Sequence, residues 1–302
     1  MFDLIIVGGS SAAAAAGIYA ARRGLKFKLI TKDFSGELAT SGEIGNWPGT
    51  IKTDGIELAG KFRAHLESYK IDMEDGVETA KIEKQADESF KINGGAYEAR
   101  TVILATGAHP RELNIPGEKE FRNKGVSYCT VCDGPVFAGK VCATIGGGNS
   151  ALESGLMLAD ICSKVYVINK NAEFKGDAVL INNLKAKPNV EIIYNANTKE
   201  IFGKEFVEGL RYDDQRSTIN EKQLDGIFVH IGMIPNSAMA PEGTAKNNFG
   251  EVIVNANCET NIPGFYAAGD VTNVPFKQNA IAAGQGTIAL LSAVSYLNRI
   301  AK

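Results

Sequence analysis

Short runs of consecutive apolar residues alternate along the chain with glycine-rich turns and longer segments of mixed polarity. Residues 4–7 form the first run, and its lack of polar alternation predicts a parallel strand that is buried on both faces. An alanine-rich segment then extends to Arg23, and Gly24 suits the C-terminal end of a helix. Residues 27–30 predict the next strand. This order of strand, turn, helix and strand predicts an α/β fold.

The same order returns in the middle of the chain. Residues 140–145 predict a buried strand, a glycine-rich turn follows, and the segment after it predicts a helix to about Ala159. The next apolar run, Lys164–Ile168, predicts another strand, and residues 176–187 predict a helix that Pro188 ends. The pattern therefore predicts two Rossmann-like dinucleotide-binding folds in one chain.

Further elements complete both folds. They are a helix over residues 55–69, strands within 77–100, a strand over 101–104, strands within 190–229, strands over 250–254 and 264–267, and a helix over 278–300. Proline and glycine interrupt the pattern at residues 112–117 and 241–243, which predicts two linkers. We therefore expect the second fold to be inserted between these linkers, so that the first fold is split.

The first glycine-rich turn matches a dinucleotide-binding fingerprint only in part. Gly8 is in place, but Ser10 stands where the second glycine is expected and Ala13 where the third is expected. The helix after this turn would offer its free N–H groups to a pyrophosphate. Because Ser10 adds a side chain where the backbone must approach the phosphate, an ordinary βαβ unit without a ligand remains the alternative.

The second turn matches the fingerprint in full, with Gly146, Gly148 and Ala151 at the three expected positions. It follows a predicted strand and opens a predicted helix, which is the context that such a site requires. After the next strand, Asn169 and Lys170 stand where an acidic residue would favour NAD and arginines would favour NADP. Asn169 could bond a ribose hydroxyl and Lys170 could attract a phosphate, or both could be solvated loop residues.

Two other strand ends carry polar residues. Thr106 and Gly107 follow one predicted strand, and Asp270 follows another. Because the C-terminal ends of strands line the ligand crevice of an open α/β sheet, a carboxylate there is suited to bind ligand hydroxyls. The N-terminus of the last predicted helix could stabilise an anionic reduced flavin through its dipole, or this helix could be a plain amphipathic core helix.

Composition narrows the class of protein. The 302 residues are 44% hydrophobic and 22% charged, which is typical of a soluble globular protein with one large or two ordinary domains. A net charge of -3 offers no basic surface for nucleic acid, and no apolar run is long enough to cross a bilayer. The N-terminus predicts a buried strand and not a signal peptide, so the cytoplasm is expected by default.

Cys129 and Cys132 form a Cys-x-x-Cys pair, which in the cytoplasm is more often catalytic or metal-binding than structural. A zinc site needs two more ligands, but the other cysteines and the three histidines are scattered, so no metal site is expected. An inert buried pair is an alternative. A redox-active dithiol is favoured because Asp133 follows directly and could exchange protons with the thiols. Near a flavin and a thiolate, its pKa should be raised.

Four stretches together resemble one known family. They are Cys129-Thr130-Val131-Cys132-Asp133-Gly134-Pro135, Gly146-Gly147-Gly148-Asn149-Ser150-Ala151, Gly232-Met233-Ile234-Pro235-Asn236 and Ala267-Ala268-Gly269-Asp270-Val271. Their order along nearly the whole chain resembles that of the low-molecular-weight thioredoxin reductase family, which includes the flavoprotein core of alkyl hydroperoxide reductase. Residues 274–278 and 283–286 are similar to the peroxidase-reductase branch.

The resemblance implies an FAD-binding domain of residues 1–113 and 244–302, and a pyridine-nucleotide-binding domain of residues 114–243 that carries the cysteine pair. It implies that Cys132 faces the flavin C4a, that Cys129 is the interchange thiol that meets the partner, and that Asp133 is the acid/base. The expected FAD-binding residues are Gly8, Ser11, Ala12, Glu37, Leu38, Asn46, Thr106, Gly107, Asp270, Gln278 and Asn279. The expected pyridine-nucleotide-binding residues are Gly146, Gly148, Asn149, Ser150, Asn169 and Lys170.

The chain departs from this family in two respects. The usual His-Arg-Arg run for the phosphate of NADPH is replaced by Asn169-Lys170-Asn171, which favours NADH and leaves ferredoxin as another electron donor. The thioredoxin-like N-terminal domain of the peroxidase-reductase branch is not in this sequence, so we expect the partner to be a separate chain. Because the family is commonly dimeric, a homodimer is expected.

The resulting hypothesis is an FAD-dependent thioredoxin-disulfide reductase. Electrons would pass from NADH or NADPH through FAD and the dithiol to the disulfide of thioredoxin or of a thioredoxin- or glutaredoxin-like protein. Three alternatives remain on the same scaffold: a reductase that takes electrons from ferredoxin, an oxidase of small dithiols, and a non-catalytic flavoprotein that senses redox state.

Overall fold

The computed structural model describes residues 1–41, 43–214 and 218–301 and divides the chain into two compact units. The split unit contains Met1–His109 and Ile234–Lys302, and the inserted unit contains Pro110–Met233. The predicted α/β class, with one nucleotide-binding fold inserted in another, is therefore confirmed.

The chain passes from the split unit to the inserted unit after His109 and returns after Met233, so both crossings lie earlier than the domain boundaries predicted after residues 113 and 243. The segment after the second crossing joins the split unit, where the Ile82 N–H donates to the Met239 carbonyl at 2.9 Å. The Arg111 N–H, just after the first crossing, donates to a carbonyl of the inserted unit at 2.9 Å. Proline and glycine mark where the chain turns, whereas the boundary depends on where the backbone finds its partners.

The elements follow in chain order. The first segment of the split unit contains β1 (Phe2–Val7), α1 (Ser11–Arg22), β2 (Phe27–Thr31), β3 (Glu43–Ile44), β4 (Thr53–Asp54), α2 (Gly55–Ser68), β5 (Met73–Asp75), β6 (Ile82–Lys84), β7 (Phe90–Ile92), β8 (Tyr97–Leu104) and β9 (Ala108–Pro110), which spans the first crossing. The inserted unit contains β10 (Val126–Ser127), α3 (Thr130–Asp133), β11 (Val141–Ile145), α4 (Asn149–Ile161), β12 (Lys164–Ile168), α5 (Ala178–Lys185), β13 (Val190–Ile193), β14 (Asn197–Gly203), β15 (Val207–Asp213), β16 (Ile219–Gln223), β17 (Gly226–Val229) and β18 (Met233–Pro235), which spans the second crossing. The second segment of the split unit contains β19 (Phe265–Ala267) and α6 (Asn279–Ile300).

The main sheet of the split unit has the strand order β5-β2-β1-β8-β7-β6, and β19 pairs with β8. β1 runs parallel to β2 and β8, with Ile6 opposite both Leu29 and Ile103. Leu4 and Ile6 pack into the core that includes α1 and α6, whereas Ile5 packs into a core on the other face. This double burial explains why β1 is continuously apolar.

The inserted unit has a parallel sheet of order β10-β17-β11-β12-β13 and a separate antiparallel sheet of order β14-β15-β16. In β11, Cys142 faces the core beneath α4 with Leu152, whereas Ala143 faces the opposite core with Leu210 of β15. β12 begins and ends at the predicted residues. β11 leads directly into the second glycine-rich turn, and the carbonyl of His230, just after β17, lies against Gly146 of that turn.

One predicted strand was wrong. Residues 250–254 form no strand in the described part of the chain, and only Val252 makes isolated bridges, to Lys246 and Thr272. Val252 is fully buried in the core of the split unit. The apolar residues of this segment indicated burial correctly at Val252, whereas a strand also needs a continuous row of backbone partners.

α6 corrects the expectation that no apolar segment is long enough to cross a bilayer. It has 22 residues, and among the described residues it is the helix that meets this criterion by length and composition. Core helices of water-soluble proteins meet the same criterion, and Ala289, Leu290 and Ala293 of α6 pack into the core shared with α1. One such helix is therefore a weak indication of a membrane span.

Candidate active site

Cys129 and Cys132 are joined by a disulfide, with their Cα atoms 5.3 Å apart. Cys129 is the N-cap of α3, and Cys132 lies within this helix, so the turn brings the two sulfurs together as the spacing predicts. The Cys132 N–H donates a hydrogen bond to Cys129 Sγ at 3.2 Å. The backbone of the helix therefore stabilises the sulfur of Cys129.

Asp133 ends α3, and Ser127 holds its carboxyl group. The Ser127 hydroxyl donates to Asp133 Oδ2 at 2.5 Å and accepts the Cys129 N–H at 3.0 Å. Burial raises the pKa of Asp133, while the hydrogen bond from Ser127 acts in the opposite direction. A carboxyl group beside a dithiol can exchange protons with the thiols, and a raised pKa favours its protonated, proton-giving form. Ser127 was not among the site residues predicted from the sequence.

His230 also contacts α3, the redox helix that carries the cysteine pair. In the sequence it stood only as one of three scattered histidines. Its Nε2 lies 2.8 Å from Thr130 Oγ1, between the two cysteines, and Thr130 Oγ1 lies 2.7 Å from Ser154 Oγ. Burial lowers the pKa of His230 to about 4, so the imidazole is neutral at neutral pH. No local pattern could have pointed to this contact, because it joins residues 100 positions apart.

The second glycine-rich turn has the geometry of an anion-binding turn. Gly146 has a φ of 150°, and a Cβ there would lie 2.2 Å from the His230 carbonyl oxygen. Gly148 is the N-cap of α4 and provides no side-chain cap, and a Cβ there would meet open space. The first N–H groups of α4 can therefore receive a pyrophosphate.

The other residues expected at this second site differ in their surroundings. Asn169 is 1% exposed, and its amide donates to the Glu173 carbonyl and accepts the Asn171 N–H. Its side chain therefore shapes the loop, and both ends of its amide are engaged within the protein. Lys170 and Ser150 are exposed, and so is Asn149, whose amide bonds Asp177.

In the split unit, the first glycine-rich turn is packed against the end of β8. Gly8 has a φ of 137°, and a Cβ there would lie 2.1 Å from the Ala105 carbonyl oxygen. Ser10 is the N-cap of α1, but its side chain makes no capping hydrogen bond. The Ser11 hydroxyl donates to Asn279 Oδ1 at 2.8 Å, which joins the N-termini of α1 and α6. Two helix N-termini therefore converge beside the turn.

Asp270 follows β19, and burial raises the pKa of its carboxyl group, whereas Lys277 acts in the opposite direction. The neighbouring loop is fixed by Gln285, whose Oε1 accepts the Gly269 N–H at 2.8 Å. The Asn46 amide donates to Gln278 Oε1 at 3.2 Å, at the start of α6. This end of the split unit therefore holds both an acidic group and amide groups.

Four other residues predicted to bind FAD lie in different surroundings. Leu38 is buried, whereas Glu37 is exposed. The Thr106 hydroxyl donates to the Asn236 carbonyl at 2.6 Å, and Asn236 Nδ2 donates to the Thr106 carbonyl. The Thr106 hydroxyl is therefore engaged within the protein, while Gly107, with a φ of 67°, forms the turn after it. Among the described residues, no cluster of three or more His, Cys, Asp or Glu side chains could hold a metal ion.

Known proteins are similar to this chain over nearly its whole length. Residues 2–286 match the family described as "Pyridine nucleotide-disulphide oxidoreductase". A component of the alkyl hydroperoxide reductase of Escherichia coli (strain K12) is 43% identical over 305 residues, which cover 99% of this chain and 58% of that protein. A protein named NADH dehydrogenase of Bacillus subtilis (strain 168) is 41% identical, with coverage of 99% and 59%. The chain thus spans somewhat more than half the length of these relatives.

Solved structures match over nearly their full length. The thioredoxin reductase of Streptococcus pyogenes MGAS5005 is 32% identical with a TM-score of 0.92, and the match covers 99% of each chain. The ferredoxin-flavin thioredoxin reductase of Clostridium acetobutylicum is 31% identical with a TM-score of 0.53, and the match covers 99% of this chain and 98% of that one.

Proposed function

The chain belongs to the pyridine nucleotide-disulphide oxidoreductase family, and we propose that it is an FAD-dependent reductase of thioredoxin or of a thioredoxin- or glutaredoxin-like protein. The observation that carries the proposal is the Cys129–Cys132 disulfide on α3, with the carboxyl group of Asp133 hydrogen-bonded to Ser127 beside it. A homodimer in the cytoplasm is part of the same proposal.

The split unit fits FAD. The uncapped N-terminus of α1 beside Gly8 would receive the pyrophosphate, and Asp270 would bind a hydroxyl of the ribityl chain. The bond between Ser11 and Asn279 would hold the two helix N-termini at this site. When bound, FAD supplies the acceptance of a hydride and its delivery as an electron pair to the disulfide.

The inserted unit fits the pyrophosphate of a pyridine nucleotide at the N-terminus of α4. Lys170 is the cation nearest in sequence to the end of β12, and the arginines that would favour a 2′-phosphate are missing there. NADH is therefore favoured over NADPH.

The dithiol would reduce the partner by two exchange steps. An electron pair breaks the Cys129–Cys132 bond, and the Cys129 thiolate attacks one sulfur of the partner's disulfide, which releases the other partner sulfur as a thiolate. The Cys132 thiolate then attacks Cys129 Sγ, which restores the enzyme disulfide and frees the reduced partner. Asp133 would give a proton to a leaving thiolate and take one back from a thiol.

The test is an anaerobic titration of the FAD-loaded protein with NADH, and separately with NADPH, while the flavin absorbance is followed. Bleaching by NADH at lower concentration than by NADPH, followed by reoxidation when oxidised thioredoxin is added, is the expected result. If oxygen or a small disulfide reoxidises the bleached flavin but thioredoxin does not, the assignment of the partner is contradicted.

A second candidate keeps the dithiol chemistry but takes electrons from ferredoxin. The engagement of both ends of the Asn169 amide within its loop favours it, because this side chain is then occupied and does not bind a ribose hydroxyl in place of the acidic residue of an NAD site. One solved relative is named as a ferredoxin-flavin enzyme. No bleaching with either nucleotide, together with bleaching by reduced ferredoxin, would select this candidate.

A further inference from the structure

A buried chain of hydroxyl groups lies beside the redox helix in the inserted unit. Thr130 Oγ1 lies 2.7 Å from Ser154 Oγ, and the Thr144 hydroxyl donates to Ser154 Oγ at 2.9 Å. Thr130, Ser154 and Thr144 are exposed by 5%, 3% and 0%, so water does not compete for these bonds. His230 Nε2, 2.8 Å from Thr130 Oγ1, ends the chain.

His230 is anchored by its backbone. Its N–H donates to the Ile145 carbonyl at 2.8 Å, and its own carbonyl lies so close to Gly146 that a Cβ there would be 2.2 Å away. α3, which contains Thr130, has only four residues, and a helix of this length depends on tertiary contacts for its position. In this contact His230 is therefore held in place by its own backbone, and the redox helix is positioned by His230.

We propose that His230 is a positioning residue for the dithiol. Through Thr130 it holds α3 so that the Cys132 N–H points at Cys129 Sγ, a bond of 3.2 Å. This bond stabilises a Cys129 thiolate in the reduced state, because a thiolate is a better acceptor than a thiol. Loss of the contact between His230 and Thr130 therefore disfavours the reduced dithiol. The inference rests on the proposed redox function of Cys129 and Cys132.

The experiment measures the equilibrium between the FAD-loaded protein and glutathione buffers. Two glutathione thiols are oxidised to one glutathione disulfide while the Cys129–Cys132 bond is reduced to two thiols, so electrons and protons balance. Free thiols are alkylated at each buffer ratio, and mass spectrometry of the peptide that contains both cysteines gives the reduced fraction.

Two variants remove the contact from its two sides. His230→Leu keeps apolar volume without a ring nitrogen, and Thr130→Val keeps the shape of the side chain without its hydroxyl. We expect each to lower the equilibrium constant for reduction by about tenfold, which is about 30 mV for this two-electron couple. His230→Gln, whose amide can bond Thr130, should restore most of the wild-type value.

The double variant and a control decide between positioning and a general loss of structure. Because Thr130→Val already removes the contact with His230, combining it with His230→Leu should add nothing to the change in Thr130→Val alone. The matched control is Thr198→Val in β14, since Thr198 Oγ1 is buried without a hydrogen-bond partner in the described structure, and it should leave the equilibrium unchanged.

The proposal is overturned if the folded single variants have the wild-type equilibrium constant for reduction, or if their changes add up in the double variant. If His230→Leu does not fold, the volume-conserving Thr130→Val carries the test. If no glutathione buffer reduces the Cys129–Cys132 disulfide of the wild-type protein, this result instead counts against the proposed function. The two failures are thus distinguishable, because the measurement uses neither a nicotinamide nor a protein partner.

Discussion

Cys129 caps the helix to which Cys132 belongs, so the two sulfurs of the pair have different surroundings. The sulfur of Cys129 accepts a backbone N–H, and its own N–H is held by Ser127. A thiolate at Cys129 would therefore be stabilised by the backbone of α3. This difference supports Cys129 as the thiol that attacks the partner, which stays a prediction.

Replacing Cys129 with Ser should abolish reduction of a thioredoxin-like partner while NADH still bleaches the flavin. The reason is that hydride transfer needs the flavin, whereas exchange needs the attacking thiolate. Cys258→Ala is the control, because Cys258 is a free, buried thiol of the split unit and its loss should leave both steps intact. Loss of flavin bleaching in the Cys129→Ser variant would reverse the proposed order of steps.

Replacing Asp133 with Asn should slow partner reduction by roughly 100-fold, which is the usual effect of losing a general acid/base, and should leave flavin bleaching by NADH unchanged.

Burial raises the pKa of Asp133, so the folded protein holds this proton more tightly than the unfolded chain does. The stability that this proton contributes is fully present in acid and is lost as the pH rises through the raised pKa. Denaturant unfolding at several pH values should show that Asp133→Asn removes this loss.

His230 should make the free energy of unfolding depend on pH in the opposite sense. Burial lowers its pKa from 6.5 to about 4, so the unfolded chain binds the proton first as the pH falls. Stability is therefore fully present above the unfolded value and is lost as the pH falls to about 4, by about 3 kcal/mol at most. Denaturant midpoints of the wild type and His230→Gln should converge over this interval, and parallel curves would contradict the prediction.

Sequence could identify the cysteine pair, both glycine-rich turns and Asp270, because each is a local pattern of residue types. It could not assign Thr106, whose hydroxyl is engaged by a carbonyl 130 residues away. It also could not show that the Asn169 amide turns into its own loop, or that His230 reaches Thr130. These contacts depend on which loops the fold brings together, and no spacing along the chain encodes them.

At the scale of elements, α6 and α1 approach each other more closely than ordinary helices do, through Gly286. A Cβ on Gly286 would lie 2.0 Å from the Ala12 carbonyl oxygen, which is backbone and cannot turn away. The close approach keeps Asn279 at the start of α6 within bonding distance of Ser11. The pattern predicted both helices nearly to the residue, but it could not predict this contact, since a glycine within a helix is locally unfavourable.

Gly286→Ala should separate α6 from α1, destabilise the split unit by about 1–3 kcal/mol and weaken FAD binding. The matched control is Gly284→Ala in the same helix, where a Cβ would meet no atom within 4 Å. This control should be neutral or stabilising by up to about 1 kcal/mol, because alanine favours the helix. Thermal unfolding and FAD titration compare the two variants, and equal effects would contradict the close-packing argument.

At the scale of the whole molecule, each unit has its own hydrophobic cores. The clusters around β1 and α6 contain residues of the split unit, and those around β11 and β12 contain residues of the inserted unit. The predicted insertion is thus realised as two units that each pack their own cores. We therefore expect each unit to unfold and refold as a separate cooperative structure.

Ligands should accordingly protect the units selectively. At about 100 times its Kd, FAD should slow amide hydrogen exchange in β1 and α1 by an amount equivalent to about 2.7 kcal/mol and leave β11 and α4 nearly unchanged. A pyridine nucleotide that binds should have the reverse effect. Equal protection of both units by FAD alone would mean that they unfold as one.

The insertion also imposes an order on events at the ribosome. β8 and α1 are synthesised before the inserted unit, whereas β19 and α6, which cover them, follow it. During translation the inserted unit has all its strands while the split unit still exposes one edge of β8 and the apolar side of α1. Nascent chains arrested before β19 should therefore bind chaperones through these surfaces, and FAD loading should follow the emergence of α6.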